Sequence, residues 1–156
     1  MELSRNLKIE SVARLQPGAP CEIDVDRPVA EAVEMMRRER VGCLLVTQKG
    51  KLVGIFTERD LLTRILAEGR PLTTLLRKCM TADPVTVGPG DSVRAAILKM
   101  QAGSYRHLPV IDEAGRPLGI LSAKRIVRYL VEHFPSTVYN QPPDPQNNAP
   151  SSADGA

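Results

Sequence analysis

Two short segments place side chains where they could hold a phosphate or a sugar. Thr57-Glu58-Arg59-Asp60 follows Gly54-Ile55-Phe56, and Ser122-Ala123-Lys124-Arg125 follows Gly119-Ile120-Leu121. A helix N-terminus presents free backbone N–H groups and a partial positive charge, so a phosphate can sit there beside a hydroxyl. A carboxylate one turn further can accept hydrogen bonds from both ribose hydroxyls. The same Thr-x-x-Asp spacing is also a capping box, which stabilises a helix by about 1 kcal/mol without any ligand. Ser122 keeps the hydroxyl, whereas Arg125 stands where Asp60 does. A guanidinium carries donors only, so it cannot accept hydrogen bonds from a ribose. Arg106 and His107, preceding Leu108-Pro109-Val110, join Lys124 and Arg125 to make the second segment basic, which suits phosphate. The alternatives are solvated cations and a partly buried structural histidine.

No catalytic constellation accompanies these residues. His107 and His133 are the only histidines, and neither belongs to a recognisable triad or metal motif. The glycine clusters read as turns, and no Gly-x-x-x-x-Gly-Lys phosphate loop is present. The expectation is a protein that does no chemistry itself and needs no obligatory cofactor or metal.

The elements that must position these residues occur twice. Pro28-Val29-Ala30-Glu31-Ala32-Val33 matches Ser92-Val93-Arg94-Ala95-Ala96-Ile97, Leu44-Leu45-Val46 matches Leu108-Pro109-Val110, and one extra residue precedes Gly115 relative to Gly50. Two copies of one unit imply two related surfaces. Each copy reads as strand, helix, strand, strand, helix. Val85-Thr86-Val87 is β-rich and ends at Gly88-Pro89-Gly90. Asp91 and Asp26 are the N-cap candidates for the helices that follow. Those helices carry stripes at Val93, Ala96, Ile97, Met100 and at Val29, Ala32, Val33, Met36. The last helices carry Leu61, Leu62, Ile65, Leu66 and Ile126, Val127, Leu130, Val131. A unit of about 60 residues buries little core alone, so the copies should pack on each other about a pseudo-twofold axis.

This pattern resembles the cystathionine-β-synthase (CBS) domain, two of which in tandem form a Bateman module. The likeness rests on Gly-h-h-Thr/Ser-x-x-Asp opening the last helix, Arg106-His107-Leu108-Pro109-Val110 and Met80-Thr81-x-x-Pro84, over roughly residues 8–134. It implies an α/β (α+β) fold of two β-α-β-β-α repeats, at 8–69 and 72–134. It also implies a regulatory module with AMP, ADP or ATP in the cleft between them, and S-adenosylmethionine as a less favoured ligand. By resemblance Thr57 contacts phosphate or ribose and Asp60 holds the ribose, with Arg106, His107 and Lys124 reaching phosphate across the pseudo-twofold. Thr86, Val87 and Ser122 line the same cleft; Pro109 reads first as shaping a strand edge, although the family puts the adenine near that strand and so makes it a ligand-binding candidate too. The family's usual form is a flat homodimer, and an unidentified regulated partner is implied. A constitutive dimerisation scaffold with a decayed nucleotide site is the alternative.

Composition narrows the rest. The chain of 156 residues is 42% hydrophobic and 25% charged, which suits a globular protein. No apolar run approaches the roughly 18 residues of a membrane span, and the N-terminus lacks a signal peptide's apolar stretch, so a cytoplasmic location and no membrane partner are expected. Cys21, Cys43 and Cys79 have no Cys-x-x-Cys spacing and read as ordinary thiols. A net charge of +3 and 3% aromatic residues make nucleic acid an unfavoured partner. Residues 137–156, rich in Pro, Asn and Ser, lack the apolar content to fold and are expected to be disordered.

Overall fold

The computed structural model describes Arg5 and residues 10–133; the tail expected over 137–156 lies outside the described residues. In the first repeat, β1 (Glu22–Asp24) pairs in parallel with β2 (Cys43–Gln48) after the intervening helix α1 (Val29–Glu39). The antiparallel partner β3 (Lys51–Thr57) follows a two-residue turn at Lys49 and Gly50, both at positive φ, which matches the twist of a tight hairpin. The chain then enters α2 (Glu58–Asp60), which widens at Leu61–Leu66 into a π turn. Strand β4 (Thr81–Ala82) returns to the free edge of β3 and completes the order β1-β2-β3-β4. The second repeat has α3 (Val93–Gly103), β5 (His107–Ile111), β6 (Pro117–Ser122) and α4 (Ala123–His133). Its single bridges repeat the scheme of the first sheet. Val87 pairs in parallel with Val110 as Ile23 does with Val46, and Gly18 pairs with Ile120 as Thr81 does with Ile55.

Both helices that follow the first strands start differently from expectation. Ser92, not Asp91, caps α3, its Oγ accepting from the Ala95 N–H at 3.0 Å, while Asp91 accepts from the Gly88 N–H and closes the preceding turn. The cap of α1 is Pro28, which offers no side-chain acceptor. Asp26 lies two residues too early and pairs instead with Arg77 at 3.0 Å.

Two apolar cores form, and each borrows from the other's lead-in segment. Leu76 and Cys79, which precede β4, are fully buried with Val29, Leu44, Phe56 and Ile65 in the first core. Val12 and Leu15, from the 3-10 turn Val12–Leu15, are buried with Val93, Leu108 and Leu121 in the second. Packing therefore crosses the sequence bounds of 8–69 and 72–134, because each unit of about 60 residues is short of apolar material. Strand β2 is buried on both faces. Leu44 and Val46 enter the first core, and Cys43 and Leu45 are buried on the opposite side of the strand. The Leu52 N–H donates to the Gly115 carbonyl at 2.9 Å and ties the two hairpins together. The expected stripe on the last helices splits: Ile65 and Ile126 are buried, while Leu62, Leu66 and Val127 face outward.

The glycine that opens each repeated motif has a packing cause. A Cβ on Gly119 would lie 2.8 Å from the Gly18 carbonyl oxygen, and one on Gly54 would lie 2.9 Å from that of Thr81. The crossing segments press on the strands at these two points. Gly119→Ala is expected to cost about 1–3 kcal/mol through overpacking, a fall of several degrees in Tm. An unchanged calorimetric melt would show that the crossing is not held by close backbone contact.

Candidate functional site: a basic cleft between the repeats

The two motif segments occupy equivalent places. Thr57 ends β3 opposite Cys43, and Ser122 ends β6 opposite His107. The Glu58 N–H donates to the Gly42 carbonyl at 3.1 Å, as the Ala123 N–H does to that of Arg106 at 2.9 Å. Gly42 and Cys43 thus stand where the second repeat has Arg106 and His107, Glu58 stands for Ala123, and Asp60 stands for Arg125. The repeats share a backbone and differ in what they point into the cleft.

In the first repeat the motif is closed on itself. Thr57 Oγ1 accepts from the Asp60 N–H at 3.2 Å, and Asp60 Oδ2 accepts from the Thr57 N–H at 3.0 Å and from its hydroxyl at 3.1 Å. Asp60 Oδ1 accepts from the Thr81 hydroxyl at 3.0 Å and faces Arg64 Nε at 3.4 Å. Four donors therefore meet a carboxylate that has about four acceptor positions, in a residue only 6% exposed.

In the second repeat the equivalent space is open. A cavity of about 280 Å³ is bounded by the small residues Gly18, Ala19, Cys21, Gly42 and Cys43, together with Arg40, His107, Ser122 and Arg125. A second cavity of about 340 Å³ shares His107 and Ser122 with it and adds Glu58, Arg106, Ala123 and Lys124. Gly18 takes the place that Thr81 holds over Asp60, and the Arg125 guanidinium lies 4.0 Å from where a Gly18 Cβ would be. Ser122 Oγ accepts from the Arg125 N–H at 3.1 Å and caps α4. Seven arginines elsewhere have a carboxylate within ion-pair distance. Among the described residues, Arg40, Arg106, Lys124 and Arg125 have none and make no side-chain hydrogen bond. Such a cluster is suited to an anion that supplies the missing acceptors.

The structure thus brings Arg106, His107, Ser122 and Lys124 together, and sets Thr57 and Asp60 apart in their own network. Thr86 and Val87 line a different cavity, of about 520 Å³, beside Lys99 and Asp112. Val87 itself is 1% exposed, and its N–H donates to the Pro109 carbonyl within the sheet. Pro109 is buried in β5. Sequence reasoning missed Arg40 and Glu58 as cleft residues. Arg40 ends α1 at positive φ, as Ser104 ends α3. The repeat offset could have placed it, but only the fold turns it into the cleft.

Burial lowers the His107 pKa below its usual 6.5; the Arg106 guanidinium and Lys124 lower it further, and Glu58 opposes them. The ring is therefore neutral at pH 7. Burial first, then the Asp60 charge and Cys21, push the Cys43 thiol up to about 12, which keeps it an inert, protonated side chain.

The CBS domain profile matches residues 20–67 and 76–132. The chain belongs to the CBS domain family. A CBS domain-containing protein of Arabidopsis thaliana is 36% identical over 104 residues, 65% of this chain; the chain spans only 19% of that relative's length. A CBS domain protein from Pyrobaculum aerophilum, solved with AMP, is 24% identical and superposes with a TM-score of 0.70 over 79% of this chain and 99% of its own. A CBS domain pair solved with 5′-methylthioadenosine and S-adenosyl-L-methionine is 24% identical, with a TM-score of 0.72 over 80% and 98%. At that identity the likeness concerns the fold. No helix among the described residues is long and apolar enough to cross a membrane.

Because the folded state lowers the His107 pKa, the unfolded chain binds the proton more tightly. The stability that this ring contributes is complete above pH 6.5 and is lost as pH falls through its lower folded value. Urea denaturation from pH 7.5 to 5 is expected to show stability falling with acid, and less steeply in His107→Gln. Identical slopes would exclude His107 as the titrating group.

Proposed function

We propose that this CBS domain pair is a regulatory ligand-sensing module that takes an adenine nucleotide (AMP, ADP or ATP) in the cleft between its repeats. The observation that carries this reading is the set of cations, without a carboxylate partner among the described residues, around a cavity walled by both repeats. The phosphates run to Arg106, His107 and Lys124 beside the α4 N-terminus. The nucleoside lies against the small wall of Gly18, Ala19, Gly42 and Cys43. We place it there and not on Thr57 and Asp60, because Asp60 accepts a ribose only by releasing Thr81 or Arg64. The AMP in the Pyrobaculum aerophilum protein supports an adenosine ligand in this fold. Filling the cleft bridges the repeats, and a ligand that favours one arrangement of them shifts its population. That shift is the signal passed to a second copy or to a regulated partner.

The apolar residues left outside favour a second reading, a homodimer that also serves as a scaffold. Leu62 and Leu66 on the π turn are each 60% exposed, and Val127 on α4 is 59% exposed.

Two measurements test these readings. AMP, ADP or ATP at about 100 times its dissociation constant should add roughly 2.7 kcal/mol of stability, several degrees in a thermal shift. Arg106→Ala/Lys124→Ala is expected to abolish most of that shift, whereas Asp60→Asn lowers the unliganded Tm and leaves the shift in place. A shift that survives the double substitution, or one lost only with Asp60, would move the site away from the basic cleft. For the dimer, light scattering should report two copies for the wild type and one for Leu62→Glu/Val127→Glu; an unchanged mass would exclude those faces.

A further inference from the structure

Among the described residues the lining of the cleft holds one acid beside its cations, and it comes from the first repeat. Glu58 lines the 340 Å³ cavity with Arg106, His107 and Lys124. Its carboxylate rests over Gly42, where a Cβ would lie 3.1 Å from Glu58 Cδ and 3.3 Å from each oxygen. Gly42 therefore leaves room, at the position where the second repeat carries Arg106, for a negative group. Ala123 is the counterpart of Glu58, so the second repeat has no such acid. Among the described residues Glu58 makes no ion pair. It nonetheless faces the cluster closely enough for its charge to act on the His107 ring.

We infer that Glu58 is a specificity-determining residue that sets how many phosphates the cleft accepts: its carboxylate offsets part of the positive field in the free protein and repels the distal charges of a polyphosphate. The inference rests on the reading of this cleft as a nucleotide site and deepens it. A lone phosphate can sit on Arg106 and Lys124 with Glu58 to one side. Each further phosphate adds negative charge to the same cavity, where Glu58 is the acid from the facing repeat. His107 enters as a neutral donor flanked by Arg106, Lys124, Ser122 and Glu58, with Arg40, Arg125, Cys21 and Cys43 on the adjoining wall. Removing the acid should therefore favour ligands in order of their charge.

The test is calorimetric titration of wild type and Glu58→Gln with adenosine, AMP, ATP and inorganic tripolyphosphate at fixed ionic strength. Glu58→Gln is expected to tighten ATP and tripolyphosphate about three- to fivefold, AMP by less, and adenosine not at all, a charge effect of the size seen for exposed pairs. Equal affinities for every ligand would overturn the inference while leaving the nucleotide reading intact. Tripolyphosphate that responds to the substitution while no adenosine ligand binds would keep the role of Glu58 and overturn the nucleotide reading. No binding of any probe would overturn both. NMR titration of the His107 ring gives a second readout, since Glu58→Gln should lower its pKa further; an unmoved pKa would show that Glu58 does not act on the cluster.

Discussion

The shortage of apolar surface in a unit of about 60 residues is the constraint on which the rest of this molecule depends. Each repeat completes its core with residues from the segment that leads into the other: Val12 and Leu15 in one direction, Leu76 and Cys79 in the other. That exchange brings backbone onto the open edges of β3 and β6, and the contact is close enough to admit only hydrogen at Gly54 and Gly119. It also delivers Thr81 to Asp60 and Gly18 to Arg125. The cleft is therefore a by-product of how the cores are filled, and its two halves inherit whichever residues the crossing segments carry.

The halves share one backbone plan and opposite chemistry. Around Asp60 every acceptor has a donor inside the protein, so the charge is neutralised and the site closed. Around Arg125 the wall includes small residues (Gly18, Ala19, Cys21, Gly42 and Cys43), and among the described residues the cations have no carboxylate partner. Cations without a carboxylate partner beside a cavity are chemically suited to charge-assisted hydrogen bonds with an anion. Asp60 is held by hydrogen bonds that form a capping box and a link to β4.

Much of the architecture was legible from local pattern. The period of the helix stripes at Val29, Ala32 and Met36 and at Val93, Ala96 and Met100 survives in the structure, because it depends on neighbours within a few residues, and the repeat offset survives as equivalent pairings in the two units. The helix starts were less legible. Asp26 and Asp91 are good caps by residue type, but the position of the cap is set by where the preceding turn ends, and Ser92 and Pro28 take it. The apolar stripes of the last helices could not reveal their split, since adjacent residues such as Ile65 and Leu66, or Ile126 and Val127, point in different directions and only packing decides which is covered.

The candidate site divides along the same line. Residue types alone showed that Arg125 cannot do what Asp60 does, and that Arg106, His107, Lys124 and Arg125 form a basic edge, because donor and acceptor capacity belongs to the side chain. Which half of the cleft is open was decided by tertiary structure. It depends on Thr81 reaching Asp60 across 21 residues, on Gly18 crossing to a strand more than 100 residues away, and on Arg40 and Glu58 meeting the second repeat from the first. Such neighbours are set by the packing of two cores, a long-range outcome that no spacing along the chain records.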